Sequence, residues 1–113
     1  MAHYRDLIVW QKSMDLVVCM YEYTRHFPQN EQYGLTSQMR RAAVSIPSNI
    51  AEGSRRRGKE TAHFLNIAFG SASELDTQLE ATQRLNFGIA KDRVKCESLL
   101  GEVLRMLNKM TLG

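Results

Sequence analysis

A chain of 113 residues, 43% hydrophobic and 24% charged with only two prolines, has the size of one domain spanning residues 1–113 and excludes a largely disordered polypeptide. No apolar run approaches the roughly 20 residues that cross a bilayer, and the start Met1-Ala2-His3-Tyr4-Arg5-Asp6 lacks the plan of a signal peptide, so a cytoplasmic protein with no membrane contact is expected. The net charge of +3 is unevenly spread: residues 1–35 carry −1, residues 36–59 carry +5, residues 60–88 carry −3 and residues 89–113 carry +2. A local excess of that size sets up a field that attracts polyanions.

The first helix is expected to start at Asp6 as N-cap. Leu7, Trp10, Met14, Val17, Tyr21 and Thr24 recur at alternating steps of three and four, the spacing of a packing seam. Ile8, Val9, Leu16, Val18, Cys19 and Met20 are apolar as well. A helix apolar nearly all round needs more than one partner surface, which points to a subunit interface or a central position. His26-Phe27-Pro28 ends it, because the residue before proline disfavours helix. After a polar link from Gln29 to Gly34, a second helix begins near Leu35, with the stripe Leu35, Met39, Ala42, Ile46, Ile50 and Gly53. The stripe keeps phase across Pro47, so one kinked helix is expected rather than two. Ser54 to Gly58 reads as a basic connector. The third helix runs from about Lys59 to Asn86 through Phe64 or Leu65, Ala68, Ser71 or Ala72, Leu75, Leu79, Thr82 and Leu85, and Phe87-Gly88 stops it. The fourth runs from Lys91-Asp92 to about Met110 through Val94, Leu99, Leu100, Val103, Leu104 and Leu107. The fold class is therefore all-α: an antiparallel up-and-down four-helix bundle with a Pro-kinked second helix. Cys19 and Cys96 fall inside helical patterns without CxxC spacing and are expected to be two buried free thiols.

Few patterns suggest chemistry. Glu60 and His63 have the Glu-x-x-His spacing of a bundle di-iron ligand pair, but a complete site needs two such motifs and two further glutamates, and the sequence has one. Arg57 and His63 have the Arg-x5-His spacing of helical ribonucleases of the HEPN type, with Gly58 where those enzymes carry a polar residue. No phosphate loop, HExxH or nucleophile elbow is present. No catalytic residue, metal or cofactor is expected. Asn49, Glu52, Glu74 and Gln78 are polar positions beside apolar stripes. With Arg40 or Arg41 they are expected to form a structural cross-helix network, since buried polar groups are paired. Arg40, Arg41, Arg55, Arg56, Arg57 and Lys59 are the expected nucleic-acid-binding residues, acting through phosphate charge. With no aromatic interleaved in the Arg55–Lys59 run, base stacking is not indicated.

Trp10-Gln11, Phe27-Pro28, Tyr33-Gly34-Leu35, the block from Gln38 to Gly53 (QMRRAAVSIPSNIAEG) and the block from Gly70 to Leu79 (GSASELDTQL) resemble the four-helix-bundle proteins encoded within intervening sequences of bacterial 23S ribosomal RNA genes. The resemblance runs from Tyr4 to about Met110. It implies assembly into a homopentameric ring and kinship with the accessory variability determinant of diversity-generating retroelements, a basic pentameric barrel that binds nucleic acid and a reverse transcriptase. It implies no catalytic residue. Its basic positions fall here on Arg40, Arg41 and Arg55 to Arg57, without the long basic tail of the retroelement relative. The expectation is a non-catalytic, homo-oligomeric adaptor that binds RNA. The alternatives are a scaffold that docks an acidic protein such as a reverse transcriptase, and a ribonuclease using Arg57 and His63.

Overall fold

The computed structural model describes residues 3–112. Four helices, α1 (Ile8–Arg25), α2 (Leu35–Ser54), α3 (Lys59–Leu85) and α4 (Ala90–Leu112), account for nearly all of them, with 3-10 turns at Tyr4–Asp6 and Gln29–Glu31 and no strand among the described residues. Each helix packs on its sequence neighbours and α1 also packs on α4, so the helices stand at the corners of a square. Opposed pairs fix the antiparallel sense. Ser45 bonds Ser71 across α2 and α3 at 2.8 Å. Lys12 pairs with Glu102 across α1 and α4 at 3.0 Å. The molecule measures 42 × 23 × 22 Å, and its long axis matches a 27-residue α3 at about 1.5 Å per residue.

The core is one continuous apolar column. From α2 it takes Met39, Ala42, Ile46 and Ile50, from α3 Leu65, Ala68, Ala72, Leu75 and Leu79, and from α4 Leu100, Val103 and Leu107, largely the stripes the periodicity predicts. Pro47 lies inside α2, buried, and the helix continues through it to Ser54. Proline cannot donate to the carbonyl one turn back, but its apolar ring faces packed side chains. Small residues bring α2 and α3 together. A Cβ on Gly53 would stand 3.2 Å from Phe64 Cβ and 3.3 Å from the Thr61 carbonyl.

Two features of α1 differ from expectation. Asp6 belongs to the 3-10 turn, and Leu7 occupies the cap position without a side-chain cap. The buried face of α1 is Val9, Ser13, Leu16, Cys19, Met20, Tyr23 and Thr24; of the predicted seam, Thr24 is buried, Leu7, Trp10 and Val17 pack partly against the core, and Met14 and Tyr21 are exposed. On a helix apolar nearly all round, two stripes compete for the core. Leu16, Met20 and Tyr23 win it, which leaves Met14 at 38% and Tyr21 at 41% exposure.

One end of the bundle is closed by Tyr23. Its ring is fully buried, and its hydroxyl lies 2.8 Å from Thr82 Oγ1 and 3.1 Å from the Phe87 carbonyl oxygen. Phe27 packs edge-on against it, with centroids 4.9 Å apart. Burial pushes the Tyr23 phenol above its ordinary value despite its hydrogen bond to Thr82. α3 stops at Asn86 in the left-handed conformation, and Gly88 at φ +73° completes the turn.

Candidate nucleic-acid interface

The basic residues fall in two clusters along α2. The first lies at its C-terminus. There the Arg55 and Arg56 amides donate to the Glu52 and Gly53 carbonyls, and Gly58 at φ +58° turns the chain into α3. Thr61 Oγ1 ties the new helix back to the Gly53 carbonyl at 3.0 Å. This tight corner leaves Arg55, Arg56, Arg57 and Lys59 exposed. Arg56 is partly neutralised by Glu52 at 3.6 Å and Glu60 at 3.5 Å. Arg55, Arg57 and Lys59 make no ion pair among the described residues, so their charge is available.

The second cluster is Arg40 and Arg41, whose hollow of about 640 Å³ is lined by Tyr21, Tyr33, Thr36, Ser45 and both arginines. Arg40 is held in place: its Nε donates to Thr24 Oγ1 at 2.8 Å, and its guanidinium carbon sits 4.4 Å from the centroid of the Tyr21 ring. Arg41 is exposed and unpaired among the described residues. Tyr33 is 89% exposed. Fourteen residues of α2 separate Arg41 from Arg55, a span of about 21 Å, and at ~100° per residue the two point to the same side of the helix.

Between the clusters lies an apolar hollow lined by Tyr4, Trp10, Met14, Val17, Val44 and Pro47. Trp10 and Val17 pack partly against the core, and the outer side of this α1 stripe remains open. The 3-10 turn folds Tyr4 back against α2, edge-on to Trp10, with the Arg55 guanidinium 5.3 Å from its ring. Arg56 lies 5.6 Å from the Phe64 ring. Aromatic rings therefore do accompany the arginines, contrary to the expectation from the linear run. Tyr4 and Tyr21 are remote in sequence from Arg55 and Arg40, and the packing of the N-terminal turn and α1 against α2 brings them together; Tyr33, just ahead of α2, lies eight positions from Arg41.

The polar residues expected to form a network are not joined to one another across helices. Asn49 Nδ2 donates to the Ser45 carbonyl and hydroxyl. Glu52 pairs with Arg56. Gln78 Nε2 donates to Glu74 Oε2 at 3.4 Å within α3, where Glu74 is exposed. Between α2 and α3 in this region the side-chain bond is Ser45 to Ser71, two small hydroxyls hidden in a run of small residues. Arg41 and Glu74 do line one shallow hollow with Gln38 and Ser71. Arg57 and His63 are both exposed. His63 packs edge-on to Phe64, and no hydrogen bond joins it to Arg57 among those of the described residues. Glu60 is engaged by Arg56. The described residues include no group of three or more His, Cys, Asp or Glu side chains able to hold a metal ion, and no helix long and apolar enough to cross a membrane.

Comparison with known proteins gives a family and solved structures of the same fold. The model of the family described as 23S rRNA-intervening sequence protein matches residues 5–109. A crystal structure from Bacteroides thetaiotaomicron, described as a protein of unknown function from the S23 ribosomal protein family, superposes with a TM-score of 0.81 at 24% identity, covering 92% of this chain and 98% of that one. At that identity the likeness speaks for the fold. No curated protein matches the chain.

Proposed function

The chain belongs to the family of 23S rRNA-intervening sequence proteins, and from that premise we propose that it is a non-catalytic, homo-oligomeric adaptor that binds RNA. The observation that carries the reading is the pairing of unneutralised arginines with aromatic rings at two places on one face of α2. Arg41, Arg55, Arg57 and Lys59 meet phosphates, and each contact releases counterions. Tyr33, exposed beside Arg41, offers a face on which an unpaired base stacks. Arg40 is a positioning residue whose charge is held at the hollow by Thr24 and Tyr21. The family description, which refers to ribosomal RNA, favours RNA over DNA.

The oligomer is part of the proposal. The half-exposed stripe of Trp10, Met14 and Val17, with Val44 and Pro47 beside it, is an apolar surface of the kind that copies of a chain bury against each other. A ring of five, with a bend in α2 at Pro47, repeats both arginine clusters around its circumference and multiplies a weak site by avidity. Cytoplasmic residence follows from the same role.

Ultraviolet crosslinking of the protein to a structured RNA, with peptides identified by mass spectrometry, tests the surface. Crosslinks at Tyr33 or Tyr21, beside Arg41 and Arg40, are expected. Crosslinks confined to α3 and α4 would place binding elsewhere. Sedimentation in the same buffer is expected to give five times the chain mass of 12.9 kDa. RNA left uncut after long incubation separates this reading from a ribonuclease using Arg57 and His63. Failure to bind RNA with retained capture of an acidic protein would favour a scaffold.

A further inference from the structure

Cys19 on α1 and Cys96 on α4 are 77 positions apart in sequence, yet their Sγ atoms lie 2.7 Å apart. Both side chains are buried, Cys19 at 5% and Cys96 at 0% exposure. A sulfur–sulfur bond is ~2.05 Å long, so the two atoms would close by less than about 1 Å to form one. Two thiols brought together from opposite ends of the chain to this distance are a different matter from isolated core cysteines. We propose that Cys19 and Cys96 form a thiol–disulfide modification site that staples α1 to α4, with a low-molecular-weight disulfide of the glutathione class as co-reactant.

The surroundings assign each thiol a part. Cys19 lines a groove of about 620 Å³ between α1 and α4, together with Val18, Glu22, Asp92, Val94 and Lys95. Val18 and Val94 are 64% and 56% exposed, so the groove opens to solvent and Cys19 is the thiol a small reagent meets. Cys96 sits behind it, out of reach of anything but Cys19. Cys19 loses its proton to solvent and its sulfur attacks the small disulfide. That forms a mixed disulfide on Cys19 and expels one small thiolate, which takes up a proton. Cys96 then loses its proton and attacks Cys19 Sγ, expelling the second small thiolate. The protein pair gives up two electrons and two protons, the small disulfide becomes two small thiols, and excess thiol runs the sequence backwards.

Burial pushes both thiols above their ordinary value, Cys96 far above it, with Asp92 acting in the same direction and Lys95 against it. Thiolates are therefore scarce, and the exchange is slow rather than catalytic. In a reducing compartment the pair rests as two thiols and the bond forms under oxidant. The staple joins two helices already held by Lys12 and Glu102, and it removes freedom mainly from the unfolded chain.

The test uses the intact wild-type chain equilibrated in oxidised or reduced glutathione. Oxidation is expected to remove two hydrogens from the intact mass, leave no alkylatable thiol after denaturation, and yield one peptide pair linked through Cys19 and Cys96. Tm is expected to rise by roughly 10 °C or more and to return on reduction. Cys96→Ser should instead stop at the mixed disulfide on Cys19. Two free thiols after prolonged oxidation, or glutathione adducts or intermolecular links in place of the internal bond, would overturn the proposal. None of these readouts involves RNA, so the result is independent of the adaptor reading.

Discussion

Three glycines with three different surroundings make the packing argument quantitative. At Gly88, φ is +73° and a Cβ would stand 2.7 Å from Tyr23 Cε1 and 3.0 Å from Phe27 Cε1. Neither ring can retreat, because the Tyr23 hydroxyl is fixed by Thr82 and the Phe87 carbonyl and Phe27 is wedged between Tyr23 and Phe87. Gly88→Ala then combines left-handed strain of ~1 kcal/mol with an overpacking cost of ~1–3 kcal/mol, a loss of about 2–4 kcal/mol. Gly58 has φ +58° with ψ −124°, outside the left-handed helical well, and nothing within 4 Å of its missing Cβ, so Gly58→Ala meets backbone strain without a clash, about 1–3 kcal/mol. Gly70 lies within α3, exposed and equally unobstructed, so Gly70→Ala should stabilise by ~0.5–1 kcal/mol through helix propensity. Urea unfolding followed by far-ultraviolet circular dichroism, at one fixed protein concentration, ranks the three. A Gly88→Ala loss of no more than about 1 kcal/mol, the left-handed strain alone, would refute the rigid Tyr23–Phe27 wall, and a destabilising Gly70→Ala would mean that α3 is not free at that position.

Tyr23→Phe keeps the ring and removes the hydroxyl that joins α1 to Thr82 and the Phe87 carbonyl, so it should cost about 1 kcal/mol in the same urea assay. Tyr33→Ala should leave Tm unchanged, since the ring is 89% exposed, while weakening RNA binding by about 1–3 kcal/mol if a base stacks there. Stability of the reduced protein should fall as pH rises above 9.0, the ordinary thiol value, because the folded state holds the Cys19 and Cys96 protons more tightly than the unfolded state does. Unfolding in that range releases protons, with a slope of at most about 1.4 kcal/mol per pH unit per thiol. Melting curves at pH 7 to 10 should show this slope in the wild type and a shallower one in Cys19→Ala/Cys96→Ala.

The fold was legible where one stripe dominates a helix. In α2 and α3 most of the periodic apolar residues are buried, with Leu85 at the end of α3 exposed, and Gly34, Gly58 and Phe87-Gly88 mark the corners. In α1 two stripes are equally apolar, and sequence spacing has no means of ranking them. Burial of Tyr23 decides between them, because its hydroxyl finds Thr82, 59 positions away. The arginines were legible as a charge excess. The aromatic partners of Arg55 and Arg40 were not, since Tyr4 and Tyr21 approach them only through the packing of the N-terminal turn and α1 against α2. The same limit hides the Cys19–Cys96 pair. The network drawn among Asn49, Glu52, Glu74 and Gln78 overestimated polar burial, since helix-surface carboxylates find partners three or four residues away on their own helix.

The most direct test of the adaptor reading is fluorescence-anisotropy binding to a structured RNA across a salt series. Wild type should be compared with Arg55→Ala/Arg56→Ala/Arg57→Ala and with Arg41→Ala. Binding should weaken steeply with salt, and the triple variant should lose affinity and flatten the log K against log salt slope by about 2, as lost phosphate contacts require. Absence of binding at low salt, or a triple variant with wild-type affinity and slope, would contradict the assignment of this face of α2 to RNA.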